Sequence, residues 1–329
     1  NEVLKRSEIR ANDILVAITG DIGKVGIIPK NIEKGNINQH TARIRVTKNA
    51  VPYFIYQSLC TEEQQRKYQL IKTGLSMPQL SLEQIRSTVV LCPSLSEQNM
   101  IGKYFRSIDH LITLHQRKCV ETKKFKKFML QKMFPQKGEK IPEIRFAGFT
   151  ADWEQRKLGD VIEKLTGGVS IAPDDYVNEG YRTIPKGAVN SLGIADMSGC
   201  KIVSEDFFKK NISSKTSSGE LVTSLRDLVP TAPNMGRIVR ICGDSENFLM
   251  PQGVYSIIVK KKVSEDFLIA YSNSPEYRKI IMAEKNGSTQ VHIRNGEFLN
   301  IDIPLPSYEE QMKMGEQFNY LDRLITLHH

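Results

Sequence analysis

Cysteine is scarce in this chain of 329 residues: Cys60, Cys92, Cys119, Cys200 and Cys242 are odd in number, far apart and form no C-x-x-C pair. That spacing argues against a disulfide framework and a zinc ribbon, and it leads us to expect a reducing, cytoplasmic setting. No window holds 18 consecutive apolar residues, so no transmembrane helix and no membrane partner are expected, and nothing near Asn1 resembles a signal peptide. Catalytic signatures are missing as well. GDIGK at 20–24 has the wrong spacing for a phosphate-binding G-x-x-x-x-G-K-[ST] loop, and neither G-x-S-x-G nor H-E-x-x-H occurs. The Asn-Pro-Pro-aromatic motif of adenine methyltransferases is absent, since APNM at 232–235 has those letters in the wrong order. Asp174 and Asp175 adjoin on one loop, where neighbouring carboxylates diverge, and no Glu-x-Lys partner follows, so a nuclease metal site is not expected. Neither a catalytic residue nor a metal ligand is assigned.

What the chain does contain is an ordinary globular balance, 40% hydrophobic and 25% charged, at a length that accommodates two domains. Its 46 Lys and Arg against 37 Asp and Glu give a net charge of +9. Residues 116–140 hold nine of those cations and only two Glu, a surplus of seven, so the remainder is close to neutral. This segment is either a solvated helix face or a surface for phosphates or a protein partner.

The dominant feature is an internal repeat. Residues 93–115, PSLSEQNMIGKYFRSIDHLITLH, lie over 306–328, PSYEEQMKMGEQFNYLDRLITLH, at a constant offset of 213. The same offset lays Gly23 on Gly236, Gln39 on Gln252, Ile44 on Ile257 and Gly74 on Gly287, so roughly 90 residues occur twice without a gap. Such a period is too long for a solenoid and marks a duplicated domain-plus-helix unit. By this register the first copy lacks a front that the second has from about Arg145, and the second helix stops at His329 where the first runs to about Phe134.

Short β-branched runs at 13–20, 24–29, 41–47 and 254–262, bounded by Gly, Asn or Pro, predict twisted, mostly antiparallel strands. Apolar residues recurring at three and four predict helices over 51–71 and 264–285, and a long helix over about 97–134. PSLSE and PSYEE read as capping signals at the start of the two repeated helices. Ile101, Phe105, Ile108, Ile112, His115 and Cys119 form one seam, and Met314, Phe318, Leu321, Ile325 and His328 a second. Either the seams pair as an antiparallel coiled coil, the arrangement expected here, or each is the core-facing stripe of its own domain.

The opening IRFAGFTADWEQRKLGDV at 144–161, the glycine stretches GLSMP at 74–78 and GSTQ at 287–290, the run IPLPSYEEQ and the helix FNYLDRLITLHH resemble the specificity (S) subunit of type I restriction-modification systems. The resemblance spans essentially the whole chain. It implies a mixed α/β fold with a partial first target-recognition domain at 1–92, a central helix and linker at 93–143, a second recognition domain at 144–305 and a shortened distal helix at 306–329. It further implies a non-catalytic subunit that binds double-stranded DNA, each domain reading half of a bipartite target, with the paired helices setting the gap. Two methylation subunits and restriction subunits would be its partners and would carry S-adenosylmethionine, ATP and Mg. Self-association could complete the shortened repeat. The alternative is a duplicated coiled-coil scaffold without DNA readout.

DNA reading needs Lys, Arg and backbone amides for phosphates, and Asn, Gln, Arg, Ser or His for base edges. In the second domain the candidates are Thr166, Gly168 and Ser170, Lys186 and Asn190, Arg226, Asn234 and Arg237, Gln252, and Ser288, Thr289, Gln290 and His292. In the first they are Thr19, Lys24, Gln39, His40, Gly74, Ser76 and Gln79. Each has a plainer explanation. The run 287–290 could be a turn, Gln39 and Gln252 recur in both copies as a shared structural hydrogen bond would, Lys186, Arg226 and Arg237 could be solvated charge, and His292 an internally satisfied polar residue.

Overall fold

Strands form where β-branched residues alternate between a buried and a half-buried face. The computed structural model describes residues 7–32, 35–74, 76–243 and 246–327. Its compact units are Asn1–His115 and Gln116–His329, so the division falls inside the long central helix.

In the first unit, strands β1 (Glu8–Ile9), β2 (Ile14–Ala17), β3 (Val25–Ile27), β4 (Gly35–Asn36) and β5 (Thr41–Ile44) precede helices α1 (Pro52–Cys60), α2 (Glu62–Ile71), α3 (Leu82–Arg86) and α4 (Leu95–Lys132). β2 lies between β3 and β5, antiparallel to both, with Ile14 opposite Ile27 and Ile44. Ile14, Val16, Leu59, Tyr68 and Leu80 pack beneath this sheet.

The second unit takes the 116–132 part of α4 and adds β6 (Glu154–Lys157), α5 (Leu158–Val161), β7 (Ile162–Gly167), β8 (Tyr176–Val177), β9 (Tyr181–Arg182), β10 (Ile202–Val203), α6 (Glu205–Lys210), β11 (Lys215–Ser217), β12 (Leu221–Ser224), β13 (Arg226–Asp227), β14 (Ile238–Arg240), β15 (Asn247–Leu249) and β16 (Val254–Val259). Helices α7 (Glu265–Ser272) and α8 (Pro275–Glu284), strand β17 (Val291–His292), helix α9 (Asn295–Leu299), strand β18 (Asp302–Leu305) and helix α10 (Tyr308–Leu327) follow. The main sheet has the order β14-β12-β16-β7, and β6 pairs antiparallel with β18. All the named strand pairs described are antiparallel, as the patterning predicts.

Superposing the two registers refines the repeat. Leu221 faces Arg240 and Ile257 as Ile14 faces Ile27 and Ile44. The offset is therefore 213 from Gly23 onward but 207 ahead of it. The ungapped extension holds only as far as Gly23, and the second copy carries six extra residues between β12 and Gly236.

Each predicted helix over 51–71 and 264–285 is two helices. The Thr61 hydroxyl caps α2 by accepting from the Gln64 amide, and Ser274 caps α8 by accepting from Tyr277. At the second break Pro275 also cannot supply the amide that a continuous helix would need. The repeated helix starts behave as the sequence signals: Ser94 accepts from the Glu97 amide and Ser307 from the Glu310 amide, both at 3.3 Å. Gln98 and Gln311 then receive the amides of Val51 and Ser264, each at 3.0 Å, docking each helix onto the next element. Gly102 and Gly315 sit at that close approach; a Cβ on Gly315 would come within 3.0 Å of the Phe267 amide nitrogen.

The two seams do not behave alike. Met314, Phe318, Leu321 and Ile325 are all buried, and Phe318 stacks on Phe134 at 5.8 Å. The Cys119 thiol approaches the Ile325 carbonyl and the Lys126 ammonium meets Asp322, so 119–134 runs antiparallel to α10. In the other stripe, Phe105 and Ile112 remain 40% and 48% exposed. The pairing thus uses the distal half of α4, within the second unit. Identical periodicity gives different burial because the covering segment lies on α4 itself, beyond the repeated stretch. His328 lies outside the described residues.

Candidate nucleic-acid interface

The candidate surface of the second unit is built at the ends of β12 and β16. The chain leaves β12 through β13, which pairs with β17 so that Arg226 faces His292. Asn286 and His292 exchange backbone hydrogen bonds of 2.8 and 2.9 Å, closing the intervening turn. Gly287 has φ +97°, and a Cβ there would lie 2.3 Å from the Gln290 carbonyl oxygen, so the turn demands glycine. Ser288, Thr289 and Gln290 are thereby held out in solvent. Gly253 is the second close approach: Arg226 lies over it, 3.1 Å from where a Cβ would stand.

These elements enclose a cavity of about 460 Å³ lined by Lys186, Arg226, Asn234, Gln252, Gln290 and His292 together with Gly187, Ser224, Asp227, Leu228 and Gly253. Six residues chosen from sequence thus meet in one place. Asp227 organises its floor by accepting the Val229 and Asn234 amides at 3.3 and 3.2 Å.

Other candidates are placed differently. Thr166 lies in the main sheet opposite Ser256. Gly168 is packed against the Met250 and Pro251 carbonyls, and Ser170 lies exposed just beyond it. The amide of Asn190 bonds the Ala188 and Ile194 carbonyls and its oxygen takes the Leu192 amide, organising its own loop. Arg237 donates to the Pro233 carbonyl at 2.8 Å and to Asn273. Burial, reinforced by the neighbouring Arg278 charge, lowers its pKa to about 10, which leaves it cationic at neutral pH.

The first unit repeats the arrangement. Its cavity of about 680 Å³ is lined by Thr19, Lys24, Ser76 and Gln79 with Gln65, Gln69, Lys72 and Met77. Thr19 bridges Gln79 as Arg226 bridges His292. Gly74, with φ +95°, makes the same turn as Gly287. His40 Nδ1 lies 2.8 Å from the Thr19 hydroxyl, and Gln39 lies beside His40, both exposed. Where the second copy sets a large Arg226 over Gly253, the first sets a small Thr19 against His40.

Sequence reasoning missed the clamps behind these loops. Gln65 donates to the Gly23 carbonyl at 2.8 Å, and Arg278, its counterpart at offset 213, donates to the Ala232 and Met235 carbonyls at 2.6 and 2.5 Å. The longer loop of the second copy is spanned by a longer, two-pronged donor. Replacing Arg278 with Ala leaves those carbonyls without their charged donor. It should cost about 1.5–3 kcal/mol and speed amide exchange over 232–237, measured by denaturation and hydrogen exchange. Unchanged exchange there would refute the clamp.

Among the described residues no group of three or more His, Cys, Asp or Glu could hold a metal, and no helix is long and apolar enough to cross a membrane.

The fold is a duplicated α/β unit with a glycine-turned cavity in each copy. The chain belongs to the type I restriction modification DNA specificity domain family, whose pattern matches residues 5–123 and 150–329. It is 25% identical over 334 residues to the specificity subunit of the type I restriction enzyme MjaVIII of Methanocaldococcus jannaschii, covering 97% of this chain and 74% of that one. Over 98 residues, 30% of this chain and 20% of the other, it is 36% identical to the EcoBI specificity subunit of Escherichia coli. In fold it is similar to the type I restriction-modification S subunit of M. genitalium, with a TM-score of 0.66 at 13% identity, covering 98% of this chain and 79% of that one. A structure from a study of type I restriction-modification complex assembly gives a TM-score of 0.52 at 18% identity, covering 97% and 76%.

Proposed function

We propose that this chain is the non-catalytic DNA-recognition subunit of a type I restriction-modification complex. In this reading two target-recognition domains, 1–92 and 144–305, read the halves of a bipartite duplex target, and the helices at 93–143 and 306–329 set their separation. The observation that carries it is the recurrence of a cavity bearing Lys and carboxamide side chains, with the same glycine turn, in both copies of the repeat. A duplicated site whose frame is constant and whose rim differs suits a target of two unlike halves.

Methylation and restriction subunits supply S-adenosylmethionine, ATP and Mg. The exposed stripe of α4, with Tyr104 66%, Leu111 54% and Ile112 48% exposed, supports docking of protein there, either those subunits or a second copy of this chain. The basic run that begins at Arg117 adjoins it and suits DNA between the half-sites.

Selection from random-sequence duplexes, with and without the methylation subunits, tests the reading. The expected product is a two-part motif with a fixed gap; failure of the assembled complex to bind DNA would overturn it and favour the scaffold. Within the selected motif, Arg226→Ala or Gln290→Ala should cost about 1–3 kcal/mol and relax a single position. Lys186→Ala should instead weaken all sequences alike and reduce the salt slope by about one. Equal affinity and an unaltered motif in these variants would remove the residues from the interface.

A further inference from the structure

Each cavity combines carboxamides with a single large apolar side chain held in water at its rim. In the first unit this is Met77, 80% exposed, two residues from Gln79. The equivalent of Met77 in the second unit is Gln290, and there the apolar side chain comes from the opposite wall: Leu228, 71% exposed. Leu228 lies in the segment 227–235, which is six residues longer than its counterpart in the first copy.

A lone exposed leucine is unremarkable on most surfaces. This one stands on a loop fixed on every side. Asp227 takes the Val229 and Asn234 amides, Lys285 donates to the Pro230 carbonyl at 2.5 Å, and Arg278 holds Ala232. The loop is tied through its backbone while the leucine is left uncovered, so the position is maintained for contact with something outside the unit.

Resting on the DNA reading above, we infer that Leu228 and Met77 are specificity-determining residues that each contact the C5-methyl of a thymine in the respective half-site. In the major groove an A·T pair offers adenine N6 and N7, which suit a Gln or Asn carboxamide, beside the thymine methyl, which suits an apolar side chain. Leu228 with Gln290 and Gln252, and Met77 with Gln79, present that combination. Arg226 and Lys186, by contrast, suit guanine or phosphate.

The test uses the full chain assembled with its methylation subunits and a duplex bearing the selected motif, with each thymine replaced in turn by deoxyuridine, which lacks only the methyl. Removing one buried methyl corresponds to about a fourfold loss of affinity. Wild type should show that loss at one thymine of the second half-site; Leu228→Ser should abolish the difference and Leu228→Met should keep it. Met77→Ser should do the same in the first half-site only. A second half-site without thymine, or an unchanged thymine-to-deoxyuridine ratio in Leu228→Ser, overturns the inference while leaving DNA reading intact. So does 2-aminopurine in that half-site brightening with wild type but not with Leu228→Ser, which would make the leucine a wedge between bases. If wild type selects no motif, the DNA reading itself has failed and this inference with it.

Discussion

Lys126→Met should destabilise the second unit by about 3–5 kcal/mol at neutral pH, because it leaves a buried carboxylate without its cation. Lys126 and Asp322 are each 6% exposed, and the Lys126 ammonium also donates to the Ser191 carbonyl at 3.3 Å. Burial pushes the Asp322 carboxyl up to about 6, against the opposing pull of the Lys126 charge. Between the unfolded value near 4 and this folded value, the folded chain binds more protons than the unfolded one. The contribution of this carboxyl to stability therefore grows as pH falls through that window and declines as pH rises through it. Loss of Lys126 removes the lowering influence, so the window extends to higher pH. The deficit of the variant should be larger at pH 8 than at pH 5, and adding Asp322→Asn should recover part of it. Trp153 is the only tryptophan, lies 3% exposed in the second core and stands edge-on to Phe134 at 6.2 Å, so its fluorescence follows this unit during urea unfolding. Coincident curves for wild type and variant at both pH values would refute the argument.

Phe318→Ala should cost about 3–5 kcal/mol, whereas Phe105→Ala, its counterpart in the repeat, should cost less than about 1 kcal/mol in the isolated chain. Phe318 is 1% exposed and stacks on Phe134 beside Phe267, so truncation opens a cavity that its aromatic neighbours cannot close. Phe105 is 40% exposed and has little packing to lose. Thermal unfolding followed by circular dichroism separates the two cases. Equal shifts would mean that the repeated seams are covered alike.

Why one stripe deceives and the other does not is a matter of where the covering atoms come from. Periodicity reports that Phe105 and Phe318 lie on apolar faces, but the cover of Phe318 is Phe134, which belongs to no repeated stretch. The repeat, the strands and both capped helix starts were legible because each depends on neighbours a few residues away. Gly287 and Gly74 were legible as turns for the same reason, and the turns carry Gln290 and Gln79 to the rim. Arg278 was not. On a short helix it resembles any solvated cation, and its role depends on a loop 46 residues earlier whose extra length appears only when β12 is laid on β2. Asn190 adds a role that its sequence context does not display: its hydrogen bonds to Ile194 and Leu192 organise its own loop.

The second unit is closed by its two ends. Phe134 packs on Phe318, and among the described strands β6 pairs with β18. On a ribosome delivering about 5–20 residues per second, the roughly 180 residues between the two phenylalanines take on the order of ten to forty seconds to appear. Throughout that interval Leu130, Phe134 and Trp153 have emerged without the helix that completes their burial. The nascent chain is therefore a stretch of apolar surface awaiting its lid, and factors that shield such surfaces during translation should raise the yield of this unit more than that of the first, whose sheet and helices pair within about 80 residues.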